Sequence, residues 1–127
     1  LIPAALENQI TEENAPEINA KVIVEGANGP ITNTADMILN KKGKTVVPDI
    51  VANAGGVIVS YFEWVQDVQA YLWTEDQVNQ RLKEVITEAF SKVWNITEKY
   101  GTDMRHASYI EAVRKIVEVT RLRGIFP

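Results

Sequence analysis

The chain has 127 residues, enough for one domain with a buried core, and its apolar fraction of 46% and charged fraction of 24% are typical of a soluble globular protein. The net charge of −4 gives no support to a partner that is nucleic acid or a membrane surface. Because the chain lacks cysteine, disulfides, a thiolate nucleophile and cysteine-based metal sites are excluded. No apolar run approaches the ~20 residues of a membrane span and no signal peptide is recognisable, so we expect a cytoplasmic protein.

Three segments in the first half of the chain predict β-strands. Residues 1–6 are apolar, and Pro3 belongs at a strand end or edge because it cannot donate a ladder hydrogen bond. Residues 21–25 form a β-branched run that indicates a strand buried on both faces, as in a parallel sheet. Residues 45–48, continued by residues 50–51, predict the next strand. A helix between the last two strands would make a βαβ unit with parallel strands.

Two short helices are predicted around these strands. Thr11 precedes acidic residues and predicts the start of a short helix, which Pro16 limits. Thr34 is predicted to cap a second helix over residues 35–41, which Gly43 ends. The apolar side of this second helix is predicted to consist of Ala35, Met37 and Ile38.

Longer helices are predicted for the second half of the chain. Residues 55–69 predict a helix that begins at a Gly-Gly pair. Thr74 and Gln77 form a capping box, which predicts the start of a helix that runs to about residue 99. Asp103 is predicted to cap the last helix. The buried face of that helix is predicted to contain Ala107, Ile110, Val113, Ile116, Val117 and Val119.

Together these elements predict an α/β fold, namely half of a doubly wound domain followed by long helices. Ligands bind at the carboxyl ends of the parallel strands in such folds. Turn-forming residues follow three predicted strand ends, at residues 4–8, 26–29 and 53–56. We therefore expect these three segments to face one crevice.

Three polar residues near this crevice are candidates for ligand binding. Asn28 and Asn53 follow two predicted strand ends, and the alternative for each is a turn residue whose side chain bonds its own backbone. Ser60 lies in an apolar helical stretch without a nearby histidine, which makes it a poor nucleophile. Its hydroxyl can donate to a carboxylate, or bond back to the preceding turn of the helix.

Other side chains give weaker signals. Glu63 is a single carboxylate without a partner, and His106, the only histidine, is more typical of a surface or packing residue. The chain contains neither a Gly-x-Gly-x-x-Gly loop nor a P-loop, and we expect no metal site. The residues alone therefore predict an α/β ligand-binding half-domain.

At these positions the sequence resembles the glutamate dehydrogenases of the hexameric, bacterial and archaeal type. The resemblance covers essentially the whole chain in order. The matching segments are LIPAALENQIT at 1–11, VEGANGP at 24–30, VPDIVANAGGV at 47–57, SYFEW at 60–64 and the start of the final helix at 103–109.

The resemblance implies an oxidoreductase that converts L-glutamate to 2-oxoglutarate and ammonia with NAD or NADP. Ser60 would then bind the side-chain carboxylate of the substrate, and Val57 would line the substrate pocket. The related leucine, phenylalanine and valine dehydrogenases are similar around Asn53 but lack the SYFEW segment. A hydroxyl in an apolar pocket can hydrogen-bond the side-chain carboxylate of a substrate, whereas a substrate that ends in a methyl group leaves the hydroxyl unpaired. Ser60 therefore favours glutamate.

The resemblance also implies a cofactor side of the crevice. Asn53 would face the nicotinamide and the substrate, and Asn28 would contact the ribose on the nicotinamide side. Ala4 and Ala5 would lie beside the cofactor. The intact enzymes of this family are hexamers, so we expect a homo-oligomer with neither nucleic acid nor membrane as a partner.

The resemblance implies that residues 1–127 are the carboxyl-terminal portion of a dinucleotide-binding domain. Residues 1–70 would be the second half of a Rossmann-like doubly wound sheet, and residues 71–127 its C-terminal helices. The catalytic lysine and aspartate and the Gly-rich phosphate loop of the family have no counterpart here. We therefore expect the isolated chain to be inactive, and the alternative function is a non-catalytic nucleotide-binding or self-associating fragment.

Overall fold

The computed structural model describes residues 1–124, so residues 125–127 of the predicted domain lie outside the described residues. It contains two strands, five α-helices and a single 3₁₀ turn in that range. The strands are β1 (Val22–Val24) and β2 (Thr45–Val47), and the turn is Ala15–Glu17. The helices are α1 (Asn33–Lys41), α2 (Asp49–Ala52), α3 (Gly55–Gln69), α4 (Glu75–Tyr100) and α5 (Met104–Arg123).

The two strands form the parallel pair that the βαβ pattern predicts. Ile23 pairs with Val46, and both are buried beneath α1 in a core that also contains Leu39. Val22 is 48% exposed, so the prediction that this strand is buried on both faces is wrong for the described residues. Helix α1 packs against β2 on the side of Val46, and α5 packs against it on the other side, where the half-buried Val47 contacts a second core.

The predicted strand at residues 1–6 does not form as a regular element. This segment instead runs beside β1, where the Val24 N–H donates to the Leu1 carbonyl at 2.9 Å. The N–H groups of Gly26 and Ala27 then both donate to the Pro3 carbonyl. Pro3 has no N–H to return such a bond, which ends the pairing after a few residues.

The strand predicted to continue through Ile50 and Val51 is also wrong, because both residues belong to α2. Pro48 ends the ladder, since it cannot donate to a neighbouring strand. The next N–H, that of Asp49, donates to the buried Glu25 carboxylate at 2.8 Å instead. The chain therefore turns into a short helix directly after β2, and residues 53–56 follow that helix rather than a strand.

Helix α1 begins two residues earlier than predicted. Thr32, not Thr34, is its cap, and the Thr32 hydroxyl accepts a hydrogen bond from the Ala35 N–H at 3.2 Å. Ala35 and Leu39 are completely buried, one helical turn apart, whereas Met37 is 60% exposed. The predicted apolar side was therefore right for Ala35 but wrong for Met37, and it missed Leu39.

The signals that start the long helices are confirmed. Thr74 and Gln77 form the capping box of α4, and the Asp103 carboxylate caps α5. The predicted buried face of α5 holds only at its beginning, where Ala107 is buried together with Met104. Helix α5 packs against α4, but Glu111 and Ala112 are the last residues that this contact half-buries, and Ile110, Val113, Ile116, Val117 and Val119 are 39–66% exposed.

The short helix predicted near Thr11 is the 3₁₀ turn Ala15–Glu17, which follows Asn14. Within residues 1–124, none of the helices combines the length and apolarity that crossing a membrane requires. Besides the core under α1, a second core joins α2, α4 and α5 through Val51, Val93, Met104 and Ala107. The fold is therefore a mixed α/β arrangement in which long helices flank a small parallel sheet.

Candidate functional site

A cleft of about 750 Å³ opens at the carboxyl end of β1. The three segments predicted to share a crevice do line it together, although the third follows α2 rather than a strand. Its lining consists of Ala4, Ala5, Leu6, Glu7, Gly26, Ala27, Asn28, Ile50, Asn53, Ala54 and Val57. Five of the six residues that we predicted to bind substrate or cofactor are therefore in this cleft.

Asn28 and Asn53 are in direct contact. The Asn53 side-chain amide donates to the Asn28 side-chain oxygen at 2.6 Å, and a longer bond of 3.4 Å reaches the Gly26 carbonyl. The Asn53 side chain thus joins α2 to the turn after β1, rather than bonding its own backbone as the alternative required. With its side-chain oxygen occupied, Asn28 has an amide group with two donor hydrogens to offer a ligand.

Ala4 and Ala5 form the opposite rim of the cleft. Both are exposed, and Ala4 approaches the turn after β1 so closely that a Cβ added to Gly26 would lie 3.0 Å from the Ala4 Cβ. Glycine at position 26 therefore permits the close approach of the two backbones. Asn8 secures the same rim, because its N–H donates to the Gly29 carbonyl at 2.9 Å.

Val57 lines the cleft from the first turn of α3 and is 71% exposed. Ser60 is also exposed but lies outside the lining of this cleft. Because residues three apart are neighbours on a helix surface, Ser60 stands one turn beyond Val57 on the same side of α3. Within residues 1–124 its hydroxyl makes no back-bond, whereas the hydroxyls of Ser91 and Ser108 do.

A buried charged network behind the cleft was missed in the sequence. The Arg105 guanidinium donates to Glu25 at 2.7 Å and to Asp36 at 2.9 Å, and lies 3.9 Å from Asp49. Burial alone would lower the pKa of Arg105, but the hydrogen bonds that its guanidinium donates to Glu25 and Asp36 raise that pKa above its ordinary value. A carboxylate directly after a buried strand was the only signal in the sequence for this network.

The two weaker candidates lie outside the cleft lining. Glu63 is exposed on α3. His106 is exposed on α5, with its ring nitrogen 2.6 Å from the Asp103 carboxylate. Burial raises the pKa of Asp103, but hydrogen bonds from the His106 backbone and ring outweigh it, so this pKa lies below its ordinary value. No group of three or more metal-ligating side chains occurs among residues 1–124.

The chemistry of the lining favours binding over proton transfer. The lining residues supply amide groups, backbone groups and small apolar side chains, and Glu7 is the one ionisable residue among them. A flat ligand with hydroxyl and amide groups matches such a surface. Fold and cleft together define a mixed α/β protein that can bind a ligand at the carboxyl end of a parallel strand pair.

A family model described as Glutamate/Leucine/Phenylalanine/Valine dehydrogenase matches residues 1–124, and the chain belongs to this family. The chain is 54% identical to a glutamate dehydrogenase of Thermotoga maritima and 52% identical to an NADP-specific glutamate dehydrogenase of Halobacterium salinarum, with all of the chain covered in each case. It is 48% identical to an NAD-specific glutamate dehydrogenase of Staphylococcus aureus, with 98% covered. The chain spans about 30% of the length of these relatives.

Solved structures agree with this membership. The glutamate dehydrogenase of Peptoniphilus asaccharolyticus superimposes with a TM-score of 0.93 at 42% identity, over 98% of this chain and 32% of that one. A hetero-hexameric glutamate dehydrogenase of Thermus thermophilus gives a TM-score of 0.92 at 34% identity, over 100% of this chain and 30% of that one. The mixed α/β arrangement is therefore one that known glutamate dehydrogenases contain.

Proposed function

We propose that this chain is the carboxyl-terminal part of the NAD(P)-binding domain of a glutamate dehydrogenase. Residues 1–70 would form the second half of a Rossmann-like sheet, and residues 71–127 the helices that follow it. The observation that carries the proposal is the hydrogen-bonded pair Asn28 and Asn53 at the carboxyl end of the parallel strands. That end of the strands is where doubly wound folds bind nucleotides.

The proposed reaction is the oxidative deamination of L-glutamate to 2-oxoglutarate and ammonia. NAD or NADP would accept the hydride from the substrate carbon, and relatives specific for either cofactor support both choices. The cleft offers amide donors and small apolar side chains but lacks a paired acid and base. We place the general acid and base in the part of the relatives' length that this chain does not span, and we propose that the 127-residue chain alone has no turnover.

The cofactor side of the cleft has four proposed binding residues. Ala4 and Ala5 would pack beside the cofactor, because their small side chains leave the rim open to a flat group. Asn28 would donate to the ribose on the nicotinamide side, while Asn53 holds it in place and faces the nicotinamide. The 2.6 Å bond between the two asparagines fixes both side chains before a ligand arrives.

The substrate side is proposed to follow the exposed face of α3. Val57 would form the wall of the pocket next to the nicotinamide. Ser60, one turn further along, would donate its hydroxyl to the side-chain carboxylate of glutamate. A substrate that extends along α3 from the cleft would place its distal carboxylate at that hydroxyl.

Location and assembly are part of the proposal. We propose a cytoplasmic homo-oligomer, in which other parts of the assembly cover apolar side chains such as Val113 and Ile116, which are 58% and 66% exposed here. The same exposed side chains favour self-association as the second candidate function, for the chain on its own. Sedimentation of the 127-residue chain tests this candidate, because a strictly monomeric profile at micromolar concentration would contradict it.

A hybrid enzyme tests the proposed substrate side. In this hybrid, the chain replaces the matched residues of the Thermotoga maritima relative, and NAD(P)H formation is followed with glutamate and with norvaline, which lacks the distal carboxylate. Ser60→Ala should raise the KM for glutamate by about tenfold or more, because a hydrogen bond to a charged group is lost. The KM for norvaline should change little. Equal effects on both substrates would refute the carboxylate role.

Ser91→Ala is the matched control for this experiment. The Ser91 hydroxyl donates to the Thr87 carbonyl within α4, on the surface of the helix. Its removal should leave both KM values unchanged. A hybrid that folds and shows no glutamate-dependent NAD(P)H formation would refute the proposed function as a whole.

A further inference from the structure

Arg105 lies in the first turn of α5, outside the lining of the cleft, yet its side chain reaches Glu25, which directly precedes the cleft-lining turn after β1. Its Nη2 donates to the Glu25 carboxylate at 2.7 Å, and its Nε donates to Asp36 at 2.9 Å. The Arg105 side chain is only 18% exposed and the Glu25 side chain is fully buried. One guanidinium thus joins the end of β1 to α1 and α5.

Glu25 is linked to the cleft through Asp49, and we call the series of hydrogen bonds from Arg105 through Glu25 and Asp49 to Gly29 the relay. The second oxygen of Glu25 accepts the Asp49 N–H at 2.8 Å, and the Asp49 carboxylate in turn accepts the Gly29 N–H at 2.8 Å. Asn28 directly precedes Gly29 in the turn. Asn53 is tied to the same relay, because its backbone N–H donates to the Asp49 carbonyl at 3.0 Å.

The charges in this relay make Arg105 necessary. Three carboxylates, those of Glu25, Asp36 and Asp49, surround the single guanidinium. A fully buried carboxylate that loses its cation is left uncompensated, which is strongly unfavourable. A planar guanidinium can pair with two carboxylates at once, whereas a lysine ammonium is a point charge on a flexible stem and does not reproduce that geometry.

We infer that Arg105 is a positioning residue for cofactor binding, which sets the separation of Asn28 and Asn53 through Glu25 and Asp49. The inference rests on the proposed function of the cleft. Arg105 acts on the turn after β1 and on the start of α2, while Val57 and Ser60 lie on α3, outside the relay. The affinity for the cofactor therefore depends on Arg105 more than the affinity for the substrate does.

The test compares KM values in the hybrid enzyme described above. Arg105→Lys should raise the KM for NAD(P) by about tenfold and change the KM for glutamate by less than about twofold. Arg114→Lys is the matched control, because Arg114 lies on the same helix and its side chain is 61% exposed while it pairs with Glu111. That control should leave both values within about twofold of the parent. Parallel increases in both KM values, or no increase for the cofactor, would overturn the inference.

A second variant keeps the test decisive if circular dichroism shows that the Arg105→Lys hybrid is not folded. The two carboxylate oxygens of Asp49 accept hydrogen bonds from the Gly29 and Ile50 N–H groups, and Asp49→Asn removes one of these acceptors. The Asp49 side chain is 24% exposed. It should raise the KM for NAD(P) selectively in the same way, and an unselective effect overturns the inference. If the parent hybrid has no glutamate-dependent activity, the proposed function fails, and the dissociation constant of NAD(P)H in the same variants still decides the role of Arg105.

Discussion

Replacement of Glu25 by glutamine tests the buried network with a change of one atom. The Glu25 side chain is fully buried and accepts two hydrogen bonds, from Arg105 at 2.7 Å and from the Asp49 N–H at 2.8 Å. A glutamine amide keeps one acceptor and directs an NH₂ group at the other donor. The loss of one hydrogen bond to a charged group, with a buried donor left unpaired, should lower the free energy of unfolding by about 2–4 kcal/mol.

Urea unfolding of the chain measures this effect. With an m-value of about 2 kcal/mol/M, the midpoint should fall by about 1–2 M. Glu84→Gln is the control, because Glu84 is 51% exposed in a surface pair with Arg81. This control should change the free energy of unfolding by less than about 0.5 kcal/mol. A Glu25→Gln midpoint equal to that of the control would show that the network contributes little to stability, and would refute the reasoning.

Three further predictions concern caps and a close backbone contact. Thr74→Ala should destabilise the chain by about 1 kcal/mol in urea unfolding and Thr74→Ser should not, because serine keeps the cap of α4. The folded state lowers the pKa of Asp103 from 3.8, so its contribution to stability is present above that pH and is lost as the pH falls through the folded pKa. Asp103→Asn should keep the cap but lose less stability than the parent between about pH 5 and pH 3, and identical pH profiles would contradict this. Gly26→Ala should weaken NAD(P)H binding by a few fold, because the new Cβ would lie 3.0 Å from the Ala4 Cβ. Gly56→Ala is the control and should leave NAD(P)H binding unchanged, because its new Cβ would have no atom within 4 Å.

The local signals in the sequence predicted much of the fold. The capping box at Thr74 and the cap at Asp103 depend on side chains within one helical turn, and both form as predicted. The parallel pairing of β1 with β2 follows from the length of the connection between them. One error concerned the cap of α1, because Thr32 and Thr34 are both suitable cap residues and lie two positions apart. The other concerned β2, because the β-branched pattern continues past Pro48 although the strand ends there.

The burial of α5 could not be predicted from its own periodicity. Apolar residues such as Val113 and Ile116 recur at helical spacing, but burial requires a neighbour, and α4 covers α5 only as far as the half-buried Glu111 and Ala112. Burial is a property of the surrounding structure, whereas periodicity is a property of the segment.

The candidate site was predictable in part. Asn28 and Asn53 were predicted to face one crevice because both follow predicted strand ends, and both do line one cleft, although Asn53 follows α2 rather than a strand. The relay from Arg105 to Glu25 was missed, because its two ends are 80 residues apart in the chain. A contact over that distance depends on how α5 packs against the sheet, and a single sequence contains no direct signal of this packing.

The most direct test of the proposed function is a crystal structure of the hybrid enzyme with NADP⁺ and 2-oxoglutarate. The proposal predicts that the ribose on the nicotinamide side lies within hydrogen-bond distance of Asn28, between the Ala4–Ala5 rim and Asn53. It also predicts that the distal carboxylate of 2-oxoglutarate accepts a hydrogen bond from Ser60. A nucleotide bound away from this cleft, or a distal carboxylate bound away from Ser60, would contradict it.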